Sequence, residues 1–155
     1  MGYEYRASTE TDVSTMRIDQ IISRLTEAGP LEANRFAELL GATLRPGEDN
    51  PFWRFFAFDL ADGPLGGGEL RLSRDGDRAL LILEPRNPPG LGLADVDRTK
   101  LGTPTGMLPN PRIPPEGIDT EYFLKAGAQI AVQWTHTSRR LRSVVLKWEP
   151  TPSPQ

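Results

Sequence analysis

The chain has 155 residues, 37% hydrophobic and 25% charged, with a formal net charge of −3 and no cysteine. That length fits one domain able to bury a real core, and the composition suits a folded globular chain rather than a disordered one. The acidic balance argues against a dedicated nucleic-acid binder and against docking on an anionic membrane, and the lack of cysteine excludes disulfides, thiolate nucleophiles and Cys-ligated zinc.

Residues 1–13 are polar and read as a flexible N-terminus, with no apolar stretch of the kind a secretory signal needs. No apolar run approaches the roughly 20 residues of a membrane helix. The expectation is a cytoplasmic protein without a membrane partner. From about Ser14, a candidate N-cap, a helical period appears: Ile18, Ile21, Ile22 and Leu25 form one apolar stripe. Gly29-Pro30 ends this helix. A second runs from about Leu31 to Leu40, with Phe36, Leu39 and Leu40 inward and Gly41 as its stop.

The period then changes to that of strands. In the stretch from Pro51 to Leu60, Phe56, Phe58 and Leu60 share one face, and Trp53 and Phe55 take the other. Glu69 to Ser73 alternates, with Leu70 and Leu72 inward. An Asp75-Gly76 turn leads into Ala79 to Leu83, whose continuous apolar run predicts that both faces are covered. Residues 85–119 are rich in Pro and Gly and predict a long loop, broken by one short helix over Leu93–Leu101. Three more strands follow: Thr120 to Lys125 with Tyr122 and Leu124 inward, Gln129 to Thr135, and Leu141 to Trp148. No internal repeat is visible.

The reading is an α+β domain over residues 14–148, followed by a flexible Pro-rich tail at 149–155. Two N-terminal helices pack on a mainly antiparallel sheet of about six strands, with a long Pro/Gly-rich loop.

Candidate chemistry is sparse. His136, the only histidine, sits in Gln133-Trp134-Thr135-His136-Thr137-Ser138-Arg139-Arg140, between two alternating stretches, so the segment reads as a hairpin turn. Arg139, Arg140 and Arg142 would suit phosphate or an acidic partner, but they equally make a soluble hairpin tip, which is the reading favoured. Gly66-Gly67-Gly68 lacks the Lys-Ser/Thr of a phosphate loop, and Gly90-Leu91-Gly92 lacks the third glycine of a dinucleotide fingerprint. The acid pairs Asp59/Asp62, Asp75/Asp77 and Asp95/Asp97 fall at strand ends, turns or the loop, and no metal or cofactor set is assigned. Trp134 and Trp148 fit the core of the last hairpin if they meet across it. Trp53, of opposite parity to Phe56, is the candidate for exposure.

The cadence of Leu93-Ala94-Asp95-Val96, Leu101-Gly102-Thr103-Pro104, Tyr122, Gln129-Ile130-Ala131-Val132 and Leu141-Arg142-Ser143-Val144-Val145-Leu146 resembles that of small cytoplasmic immunity proteins of bacterial polymorphic toxin systems. The resemblance implies a non-enzymatic inhibitor whose partner is a cognate toxin domain, with no nucleic acid, membrane or cofactor involved. The acids on or beside the long loop, Asp95, Asp97, Glu116, Asp119 and Glu121, are the expected contacts, because an acidic surface complements the basic active site of a toxin that acts on nucleic acids. Trp53 is the expected aromatic anchor. The alternatives are a protein that holds a small apolar ligand between sheet and helices, and a small hydrolase whose carboxylates converge only in the fold.

Overall fold

The computed structural model describes residues 15–27, 31–87, 90–110 and 116–150. Ser14, Gly29-Pro30, the N-terminal 1–13 and the last five residues of the tail lie outside them. Helix α1 spans Ile18–Thr26 and buries Ile18, Ile21, Ile22 and Leu25, the stripe that the period predicts. Its first turn is held by Gln20, whose side-chain oxygen accepts the Arg17 amide at 2.8 Å. Helix α2, Ala33–Leu40, buries Phe36, Leu39 and Leu40. It stops at Gly41, whose left-handed φ of 65° lets the next amide turn back to the Ala37 carbonyl.

Among the described residues, eight antiparallel strands form one sheet in the order β1-β2-β3-β4-β8-β7-β6-β5. They are β1 Arg45–Pro46, β2 Trp53–Asp59, β3 Leu65–Ser73, β4 Ala79–Pro85, β5 Thr103–Leu108, β6 Ile118–Lys125, β7 Ala128–Thr135 and β8 Leu141–Trp148. The register aligns one apolar row across six strands: Phe56, Leu70, Leu81, Leu146, Ile130 and Phe123. All six are buried, and the helices pack over this inner face. The Phe36 ring of α2 meets Trp148 of β8 edge-on at 5.4 Å.

This order is that of two four-stranded meanders joined along β4 and β8. Half a turn about that seam exchanges β1–β4 with β5–β8. The hairpin turns correspond in detail. In the first, Ser73 N donates to Arg78 O and Arg78 N donates to Ser73 Oγ, at 3.0 and 2.9 Å. In the second, Thr135 N donates to Arg140 O and Arg140 N to Thr135 Oγ1, at 2.9 and 2.8 Å.

The α+β class and the antiparallel pairing agree with the sequence reading, and the strand count does not. β1 is only two residues long, and β5 lies inside the Pro/Gly-rich segment, where Pro104 and a register shift before Gly106 mask the strand pattern. Three local expectations are also corrected. In β6 the inward residue is Phe123, while Leu124 is 51% exposed, because pairing with Ile130 sets the parity among three consecutive apolar residues. The helix expected over Leu93–Leu101 is two 3-10 turns, Leu93–Asp95 and Arg98–Lys100, separated by extended Val96. Trp134 and Trp148 are both buried but lie at opposite ends of the last hairpin, opposite Leu141 and Ala128.

Candidate functional site

The turn between β7 and β8 holds His136, as expected, and is braced from below by residues 116–119. Glu116 accepts the Thr137 and Ser138 amides at 2.9 and 3.0 Å and also the Ser138 hydroxyl. The hydroxyl bond, aided by both amides and Thr135, outweighs partial burial and holds the Glu116 carboxyl down at about 2. Asp119 faces His136 Nδ1 at 2.9 Å and accepts the Asn110 amide at 3.0 Å. Burial pushes the Asp119 carboxyl up, but the bonds from His136 and Asn110 and the nearby charges of His136 and Arg139 bring it below its ordinary range.

An aspartate behind a histidine is two-thirds of a nucleophilic triad. Here the neighbouring hydroxyls are committed elsewhere. Ser138 donates to Glu116, and the Thr135 and Ser138 oxygens lie 2.6 Å apart. The arrangement fastens a turn, and among the described residues no hydroxyl is hydrogen-bonded to the imidazole.

The other acids divide between two further tasks. Asp95 Oδ2 accepts the Gly92 amide at 2.8 Å, and Asp97 Oδ1 accepts the Thr99 amide at 3.1 Å, so each closes a 3-10 turn. The Thr99 hydroxyl bond, opposed by partial burial, is the main cause that draws the Asp97 carboxyl down. Glu121 pairs with Arg98 at 2.7 Å, and that guanidinium lies over the Trp134 ring at 5.5 Å. Asp97 and Glu121 line one cleft of about 520 Å³, together with Arg17 and Arg98. Trp53 is in the other meander, beside Phe52 and Arg74. The expected partner residues therefore fall in separate places: Glu116 with Asp119, Asp97 with Glu121, and Asp95 and Trp53 each apart.

The outer face of the sheet carries what the sequence reading overlooked. Ile82, Val145, Ala131 and Tyr122 line up across β4, β8, β7 and β6, and Leu80 and Leu124 flank that row. Their parity opposes that of the buried row. All but Leu124 are half-buried, and Leu124 is exposed. The run Ala79–Leu83 that predicts two covered faces thus has one covered face, and among the described residues both helices lie on the other side. The double-sided apolar composition of β4 and of Val144-Val145 was the available signal.

At one end of this face, Ile82, Glu84, Leu91, Ile118, Gln133, Arg140 and Arg142 line a cleft of about 470 Å³. Among the described residues, no three His, Asp or Glu side chains come together as a metal ion would need. No helix among them is long and apolar enough to cross a membrane. Fold and site together define an α+β protein in which, among the described residues, helices cover one face of the sheet and leave the other open. No protein-family model, curated protein or solved structure matches the chain.

Proposed function

We propose that this chain is a non-enzymatic binding protein of the immunity type, which neutralises a bacterial toxin domain by holding it against the open face of the sheet. The observation that carries the reading is the apolar row Ile82, Val145, Ala131 and Tyr122, flanked by Leu80 and Leu124 on the side away from the helices. Aligned apolar side chains on a rigid sheet provide the dry centre of a protein interface, and a tyrosine among them adds an amphipathic anchor. The engagement of Glu116, Asp95 and Asp97 in local bonds supports a structural use for these acids. The acidic balance of the whole chain still favours encounter with a basic partner.

The test is co-expression with the product of the adjacent gene, scored by growth rescue and co-purification. Ile82→Lys and Tyr122→Lys are expected to abolish both while leaving the melting transition cooperative. Full rescue by both variants would remove the open face from the reading. A toxic neighbour that neither binds the wild-type chain nor is relieved by it would remove the immunity reading itself.

A further inference from the structure

The cleft at the end of the outer face is lined by two arginines, Arg140 and Arg142. Arg17, Arg45, Arg71, Arg74 and Arg98 each meet a carboxylate within 3.2 Å. Arg86 instead donates to the Gly63 and Leu65 carbonyls at 2.9 and 3.0 Å. Arg140 and Arg142 line the cleft, and among the described residues neither has a carboxylate partner, although the chain as a whole is acidic. Among the described lining residues Glu84 is the only acid, so two guanidiniums face one carboxylate and these side chains carry one net positive charge.

Local backbone features produce this arrangement. Trp134 pairs with Leu141 and Gln133 with Ser143, so Arg142 is the extra residue of a β-bulge. Bulges re-aim side chains beside binding sites, and this one sends Leu141 inward while Arg142 lines the cleft. The opposite wall, residues 90–93, is fastened to the same strand. Leu141 N donates to Leu91 O and Leu93 N to Arg139 O, both at 2.8 Å. Gly90 leaves room for the arginine: a Cβ there would stand 2.6 Å from Arg140 Nη2. The remaining wall is apolar at Ile82, Leu91, Ile118 and Leu141, with Gln133 and Ser143 as neutral hydrogen-bonding groups.

We infer that this cleft binds a small organic anion, with its carboxylate or phosphate held by Arg140 and Arg142 and its apolar body on Ile82, Leu91 and Ile118. A volume of about 470 Å³ is that of a small-molecule site, and a few convergent polar groups on an apolar wall are how such sites orient a ligand. Two guanidinium forks suit a planar or tetrahedral oxyanion better than a point cation would. The inference does not rest on the partner proposed above, since the cleft occupies one end of the outer face and its ligand is a small molecule.

The probe is anilinonaphthalene sulfonate, an apolar-bodied anion whose fluorescence rises on binding, titrated into the folded full-length chain. Saturable binding is expected, with decanoate competing, decanol failing to compete, and inorganic phosphate competing only weakly. If phosphate displaces the probe as well as decanoate does, the apolar wall contributes nothing and the assignment of an organic anion is overturned. Arg140→Gln with Arg142→Gln should weaken binding by about tenfold or more, because two charge-assisted contacts are lost, with the melting midpoint unchanged. Gly90→Ala should weaken it by displacing Arg140, and Glu84→Gln should strengthen it by removing the opposing charge. Unchanged affinity in the double arginine variant, equal competition by decanol, or no saturable binding by the wild-type chain would each overturn the inference.

Discussion

Leu80 and Leu81 are neighbours in β4 with opposite surroundings, and substituting each with alanine tests the assignment of the two sheet faces. Leu81 is fully buried between Leu70 and Leu146, under the helices. Leucine to alanine removes about three methylene equivalents, or ~2.4 kcal/mol of transfer free energy. A site with no room to collapse adds a cavity term, which brings Leu81→Ala to ~3–4 kcal/mol. For a chain of this size, that lowers the melting midpoint by roughly 10 °C. Leu80 is half-buried on the open face, so its truncation leaves no enclosed void and costs ~1 kcal/mol or less. Guanidinium unfolding followed by circular dichroism measures both, with equal slopes expected for the two variants. If Leu80→Ala costs as much as Leu81→Ala, the outer face is covered in the isolated chain. The open-face argument for partner binding then fails with it.

Other substitutions probe the features that hold the sheet in place. A Cβ at Gly68 would lie 1.9 Å from the Ile82 carbonyl oxygen, so Gly68→Ala should abolish cooperative unfolding, whereas Gly76→Ala, with nothing within 4 Å of its added methyl, should cost only ~1 kcal/mol of left-handed strain. Arg86→Lys keeps the charge but loses the fork that spans the Leu60, Gly63 and Leu65 carbonyls, and a loss of ~1.5–3 kcal/mol is expected in thermal unfolding. The folded pKa of Glu116 is depressed, so its contribution is complete above the ordinary value of 4.5 and disappears as pH falls toward about 2. Glu116→Gln should therefore flatten the acid limb of a stability-versus-pH curve in that window and change nothing in its slope near neutrality. An acid limb as steep as that of the wild type would count against the turn brace.

Where one face of an element dominates, the sequence is a reliable guide. The stripe of α1, the Gly41 stop, and the inward parity of Phe56, Phe58, Val144 and Leu146 follow from single periodicities that the structure keeps. It is a poor guide where apolar residues occupy both parities. Tyr122-Phe123-Leu124 can be read in either register, and only the pairing with Ile130 decides it. β5 is invisible for another reason: all its residues are exposed, so no burial pattern marks it. The candidate acids were legible as a set but not as a site. Their placement on a loop is a local property, while their partners, His136 for Asp119 and Arg98 for Glu121, come from segments 17 and 23 residues away. The arginine cleft needed a bulge at Arg142 and a left-handed Gly90, and neither leaves an unambiguous mark in one sequence.

The two meanders differ in what precedes them, with a measurable consequence. The first meander is preceded by two true helices, and the second only by the 3-10 turns at Leu93–Asp95 and Arg98–Lys100. The helices reach the second half directly. The buried Asp19 of α1 accepts the Asp97 amide at 3.1 Å, Lys125 of β6 donates to Ser23 of α1 at 3.0 Å, and Phe36 of α2 packs on Trp148 of β8. Without α1 and α2, the inner-face residues Phe123, Ile130, Val132 and Leu146 would lose their cover, and β8 would also lose β4 as a neighbour. A four-stranded meander whose apolar face is bare loses the burial that would offset its chain entropy. Residues 92–150 expressed alone should therefore show no cooperative melt, and co-expression with residues 15–87 should restore one in a co-purifying pair. A sharp unfolding transition in the isolated second half would mean that its own core suffices, and that the helices are an addition to a self-sufficient unit rather than its shared cover.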